Sequence, residues 1–302
     1  MRQRACWKLL FPVLFAAWGS AGAQMPQLAG ATMLQCSGLP CVDLVTGSGK
    51  RLRMAIDTGD DASIMDISLA KKLGLGVTSP KGADGKPTGE EDFVILRHVK
   101  LGKVLLGDLK VSVLPGISAR MARDRMPAAN GLLAYTAFKD RLVEFDYRNR
   151  KLRVSTSALT GPACPHDCWT LSTPRFSRGG PEVLAADGFS IDGHPVVAQF
   201  DTLFSGTMLV YAAAVNKLGL EKIAETGQRQ FFKYTDGGVD MLKAPGHVLA
   251  AGNRVLLKSA PVYFSTPTVH QPDEAFEVCV GQALLKHSIL YIDLHSMNIW
   301  IA

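Results

Sequence analysis

The chain has 302 residues, 47% of them hydrophobic and 20% charged, which excludes a disordered or low-complexity polymer and leaves room for two ordinary domains. Its formal net charge of +6 is mild once the basic start is set aside: without Arg2, Arg4 and Lys8, 30 basic residues face 27 acidic ones. Lys and Arg form no block interleaved with aromatics, so a nucleic-acid partner is not expected.

Residues 1–23 read as a secretory signal peptide: a charged start, the apolar run Leu9–Trp18, then Ala21-Gly22-Ala23. A periplasmic or secreted protein is therefore expected. No later stretch approaches 18 uninterrupted apolar residues, so stable membrane insertion is not expected. Cys6 belongs to the leader. Cys36 with Cys41, and Cys164 with Cys168, are spaced for local disulfides in an oxidising compartment. A metal reading of Cys164-Pro165-His166-Asp167-Cys168 lacks a second ligand cluster, and zinc wants four ligands. Cys279 remains as a buried free thiol in an apolar strand.

Further along, VDLVT, a Gly47-Ser48-Gly49 turn and RLRMAI predict a hairpin whose second strand ends in Asp57-Thr58-Gly59. GSGK at 47–50 fails as a phosphate loop, because Leu44 stands where its first Gly should be and Arg51 follows Lys50. A short helix follows in ISLAKKLG, then a polar Gly/Pro-rich loop at 80–92. VKLGKVLLGDLKVSVL reads as strand–turn–strand, with a further helix signal within 117–125. Residues 159–180 have linker composition. Then GFSI, an Asp192-Gly193 turn and HPVVAQF predict a second hairpin that ends in Asp201-Thr202. YAAAVNKLG and part of 223–228 carry helix signals, and HVLAAGNRVLLKSAPVYF reads as two more strands.

The two halves repeat each other. MAIDTGDDASIMDISLAKKLGL at 54–75 matches AQFDTLFSGTMLVYAAAVNKLGL at 198–220, with a hydroxyl residue six positions after each Asp (Ser63, Thr207). LVEFDYRNRKLRV at 142–154 matches ILYIDLHSMNIWI at 289–301. The offset is 144 at the first match and 147 at the last, so a whole domain is duplicated. The expected fold is all-β with few short helices: two related β-rich lobes, at 31–158 and 181–302, with a cleft between them.

Two Asp-ended strands in one chain offer a carboxylate pair. Two carboxylates held together share a proton, so one is acid and the other base at the same pH. A water between them can attack a carbonyl while the acidic partner protonates its oxygen. Such hydrolysis needs no cofactor and no metal. The rival chemistries lack their motifs: the seven His include no H-E-x-x-H, and no G-x-S-x-G occurs. Asp146 and Asp293 read as structural turn residues.

The first copy resembles the D-T-G-x-x-x-S core and trailing A-x-x-L-G-L of bacterial retropepsin-like aspartic proteases. The second resembles the D-T-G-F-[ST]-G-x-L segment of that family, with Leu203 in place of Gly. NGLLAYTAF followed by VEFDY resembles its later G-L-L-G…F…D-Y segment, with Ala134 for the last Gly. The resemblance implies a two-lobed aspartic endopeptidase acting on a peptide or protein substrate, and two lobes in one chain allow a monomer. Asp57 and Asp201 would be the catalytic dyad, Thr58 and Thr202 would brace the loops, and Gly59 would admit close backbone approach. The segment 80–92 would be the flap over the cleft. Leu203, and the third carboxylate Asp60, motivate the alternative of a catalytically weak or inactive peptide-binding protein.

Overall fold

A computed structural model describes residues 26–36, 38–123, 129–164, 168–172, 182–234, 237–265 and 276–302. The expected signal peptide and His166 lie outside them. The first half holds strands β1 (Leu28–Thr32), β2 (Leu34–Cys36), β3 (Leu39–Val45), β4 (Arg51–Asp57), β5 (Ile64–Asp66), β6 (Phe93–Leu101), β7 (Val104–Leu114), β8 (Gly131–Ala134), β9 (Leu142–Asp146) and β10 (Lys151–Ser155), with short helices α1 (Ile67–Lys72) and α2 (Ile117–Arg123). The second half holds β11 (Trp169–Ser172), β12 (Ala185–Ile191), β13 (His194–Phe200), β14 (Met208–Val210), β15 (Gln228–Tyr234), β16 (Gly237–Ala251), β17 (Arg254–Ser265), β18 (Val278–Val280), β19 (Ile289–Asp293) and β20 (Asn298–Ile301), with α3 (Ala212–Lys217), α4 (Glu221–Glu225) and α5 (Gln282–Leu285). The molecule is mostly β, in two barrel-like lobes.

The strand orders of the two lobes match. In the first lobe β4 pairs parallel to β8, β8 antiparallel to β5, and β5 parallel to β7. In the second, β13 pairs parallel to β18, β18 antiparallel to β14, and β14 parallel to β17. Beneath both runs a continuous antiparallel ribbon in the order β1-β10-β9-β19-β20-β11. Its central seam pairs β9 with β19 over five residues, Asp146 opposite Ile289 through Leu142 opposite Asp293. Each half thus supplies one side of a shared floor.

The two hairpins form as their turns dictate. Asp192 and Gly193 both have positive φ, at 49° and 84°, as a two-residue hairpin loop with right-handed twist requires. In β4, Leu52, Met54 and Ile56 point into the lobe core, and in β13 so do Val196, Ala198 and Phe200. The side-chain period of two then puts Ala55 and Asp57 on the opposite face of β4, and Gln199 and Asp201 on that face of β13 and its continuation. Hydrophobic alternation therefore delivers both carboxylates to the surfaces where the lobes meet.

Within the segment of linker composition, Trp169–Ser172 forms β11, which joins β20 to β12. Both cysteine pairs are disulfides, Cys36–Cys41 across the β2–β3 turn and Cys164–Cys168 ahead of β11. Such bonds fit an extracellular or periplasmic compartment. Among the described residues, no helix is long and apolar enough to cross a membrane.

Candidate active site

Each Asp-Thr pair sits at the end of its strand, where the chain turns out of the sheet. The two turns are locked together by four hydrogen bonds related by the internal repeat. The Thr58 amide donates to Thr202 Oγ1 at 3.1 Å, and the Thr202 amide donates to Thr58 Oγ1 at 3.1 Å. Thr58 Oγ1 donates to the Phe200 carbonyl at 2.8 Å, and Thr202 Oγ1 to the Ile56 carbonyl at 2.5 Å. Both threonines are buried, so none of these bonds competes with bulk water. The loop glycine suits a close approach: a Cβ on Gly59 would sit a tight 3.1 Å from Asp201 Cγ. Asp57 and Asp201 are thereby brought to adjoining loops, one from each lobe.

The carboxylates are held by backbone amides. Asp57 Oδ1 accepts from the Gly59 amide at 2.9 Å. Asp201 Oδ1 accepts from the Leu203 amide at 2.7 Å and the Phe204 amide at 3.2 Å. Burial pushes the Asp57 carboxyl well above the usual carboxylate range, and the negative charges of Asp201 and then Asp60 push it further. Burial likewise raises Asp201, against the two amides that stabilise its ionised form. Asp60 is itself pushed up to about 6 by burial, although the Ala62 amide donates to its Oδ1. Three carboxyl groups with raised pKa values stand together, a pattern typical of proton-transfer sites.

Leu203 fits where a glycine was expected. Its φ is not positive, nor is that of Gly59, so the loop demands no left-handed residue at either place. The Leu203 side chain packs on an apolar cluster of the first lobe that contains Ala55, Leu132 and the Cys36–Cys41 disulfide. The repeat is unequal here: beside Gly59 stands the large Gln199, whereas Leu203 packs on a cluster whose member at the equivalent place is the small Ala55.

Several neighbours of these two carboxyl groups went unread in the sequence. Cys279 Sγ lies 4.0 Å from Asp201 Oδ2, and burial followed by the charges of Asp201 and Asp57 pushes its thiol well up, so it stays protonated. Gln199 Nε2 donates to the Gly59 carbonyl at 3.4 Å, and Tyr211 Oη donates to Gln199 Oε1 at 3.2 Å. Gln282 Nε2 donates to the Thr202 carbonyl at 3.2 Å. A signal for Gln199 existed: in MAIDT against AQFDT it replaces Ala55, the one polar-for-apolar exchange within those five residues. Ser63 Oγ accepts from the Ala134 amide at 3.0 Å, and Thr207 Oγ1 donates to the Pro261 carbonyl, so the repeated hydroxyls anchor strands. Asp146 and Asp293 are fully buried and cap turns through the amides of Asn149 and of His295 and Ser296.

Residues 44–137 match the family described as aspartyl protease. No curated protein matches the sequence. Among solved structures, basic 7S globulin from soybean superposes with a TM-score of 0.49 at 10% identity, over 92% of this chain and 96% of that one. Residues 44–137, most of the first lobe, thus carry an aspartyl-protease-like domain. The mostly-β structure of two barrel-like lobes is the bilobal fold expected of it.

Proposed function

We propose that the chain is an exported aspartic endopeptidase in which Asp57 and Asp201 activate a water for attack on a peptide carbonyl. The observation that supports this reading is the reciprocal Thr58–Thr202 bonding, which ties together the two loops that carry Asp57 and Asp201. Asp57 carries the shared proton in the resting enzyme, because it receives one amide donor where Asp201 receives two, and because Asp60 adds negative charge beside it. Asp201 then takes a proton from the attacking water while Asp57 protonates the carbonyl oxygen. Collapse of the tetrahedral intermediate returns a proton to the leaving amine. The exposed hairpin that bridges Lys81 to Pro87 supports a covering role for the segment 80–92.

The test is hydrolysis of casein and a peptide library, with and without a pepstatin-type inhibitor. Asp57→Asn and Asp201→Asn are each expected to abolish cleavage, and the double variant to be no worse than either, because the pair acts as one unit. Asp146→Asn is expected to keep activity if it folds. Substantial cleavage by either dyad variant would overturn the mechanism. Inactive wild type that still binds peptides would favour the alternative, a non-catalytic peptide-binding protein, which the crowding of Asp60 against Asp57 supports.

A further inference from the structure

The two lobes repeat each other in backbone but not in the chemistry of the faces beside the dyad. In the first lobe, Ala55 is two residues before Asp57 and pairs with Leu132 of β8. In the second, Gln199 is two residues before Asp201 and pairs with Cys279 of β18. The registers make Ala55 and Gln199, and Leu132 and Cys279, occupants of equivalent places. Among the described residues, the first-lobe cluster that holds Ala55 and Leu132 is apolar, and Leu203 packs against it. The second-lobe face carries an amide, a thiol and the Tyr211 hydroxyl.

We propose that the cleft selects unlike side chains on its two sides, an apolar one against the first lobe and a hydrogen-bonding one, amide or hydroxyl, against the second, with Gln199 as the residue that sets the difference. This rests on reading the cleft as a peptide-binding site. Gln199 lies at the dyad itself, its Nε2 being 3.2 Å from the place of a Cβ on Gly59. A primary amide offers two N–H donors and two acceptor lone pairs. The bonds to the Gly59 carbonyl and from Tyr211, at 3.4 and 3.2 Å, use one of each and are long. The amide can therefore bond a polar side chain with its second N–H or lone pair. An apolar side chain seated there would shut water from those groups and give nothing back, and buried unpaired polar groups are costly. Among the described residues the first-lobe cluster carries no such group, and it rewards apolar area.

The experiment selects peptides twice. A library randomised on both sides of a central bond is captured on the full-length Asp57→Asn protein, and the same library is cleaved by wild type. Both readouts should enrich Leu, Ile or Phe at one position and Asn, Gln, Ser or Thr at the other, by about tenfold over apolar residues there. Gln199→Leu should turn that second preference apolar and leave the first unchanged. Gln199→Glu, which keeps the side chain's size, should turn it towards Lys and Arg. Apolar preference on both sides in wild type, or an unaltered second preference in whichever Gln199 variant folds, overturns the inference. Selective capture without any cleavage sustains it and removes the protease reading, whereas cleavage without the split preference does the reverse.

Discussion

At the scale of single residues, Asp60 is the group that ties the site to pH. Its carboxyl ionises near 6 in the folded chain and near 4 in an unfolded one. Between those values the folded state binds more protons, so stability falls as pH rises through the window, and the penalty is complete above about pH 6. The raised pKa values of Asp57 and Asp201 act with the same sign. The melting temperature should rise on acidification from neutral pH. Asp60→Asn should raise it at pH 7 by the equivalent of about 1–2 kcal/mol, after allowance for partial solvent screening, and change it little at pH 4. The same variant removes a charge that holds Asp57 up, so the alkaline limb of the pH–rate profile should move to lower pH. Thermal melts and pH–rate profiles of the two proteins check both statements. Leu203 gives a second prediction. Its amide holds Asp201 and its side chain packs on the first-lobe apolar cluster, so Leu203→Gly should cost about 2 kcal/mol through lost apolar contact and a looser backbone, without raising kcat. A higher kcat with unchanged stability would show that Leu203 obstructs the site.

At the scale of elements, the Cys36–Cys41 bond closes the β2–β3 turn, and both sulfurs sit in the apolar cluster under Leu203. A loop this short constrains the unfolded chain by about 2 kcal/mol. Cys36→Ala with Cys41→Ala should lower the urea midpoint by about that much and blunt activity by loosening the first-lobe face, which denaturation curves and kcat/KM measure together. The elements that were legible in the sequence share a cause. Hairpins with Gly turns and Asp-ended strands have strong local signals, and the repeat doubled each of them, as α1 and α3 show, both in segments closing on Lys-Leu-Gly-Leu. Strand β11 was hidden because its alternation, Trp-Thr-Leu-Ser, runs for only four residues inside a stretch of linker composition, and its pairing to β20 is made by tertiary contact. Helix α5, four residues long, is too short to show a period. Within the site, Asp57, Thr58, Asp201 and Thr202 were legible because the copies agree there. Cys279 was not, because its approach to Asp201 depends on β18 lying beside β13, a pairing between residues 80 positions apart.

At the scale of the molecule, the question is why one chain carries two such lobes instead of pairing two copies of one. The seam between β9 and β19, and the Thr58–Thr202 bonds, join surfaces that the repeat makes nearly alike. The unlike positions decide the partner. In the intact chain Gly59 faces Gln199, and Leu203 packs on the cluster that holds Ala55: each small residue meets a large one. Cut after Gly161, the protein gives a first half of residues 26–161 and a second half of 162–302 that keeps the Cys164–Cys168 disulfide. Two first halves would set Gly59 against Ala55 of the partner subunit and leave a void, at the cost of lost packing. Two second halves would press Leu203 against Gln199 of the partner subunit, where overpacking costs about 1–3 kcal/mol and the amide loses its Gly59 acceptor. Co-expressed halves should therefore assemble as a one-to-one pair, with the first half alone forming at most a weak homodimer and the second half none. Native mass spectrometry of each half and of the mixture reads the three outcomes directly. In the mixture, Gln199→Ala with Leu203→Gly should let second halves pair with themselves, because it removes the repulsion that sets the choice of partner. If the unmodified second half homodimerises as readily as the mixed pair forms, the large-against-small matching does not govern how the lobes recognise each other.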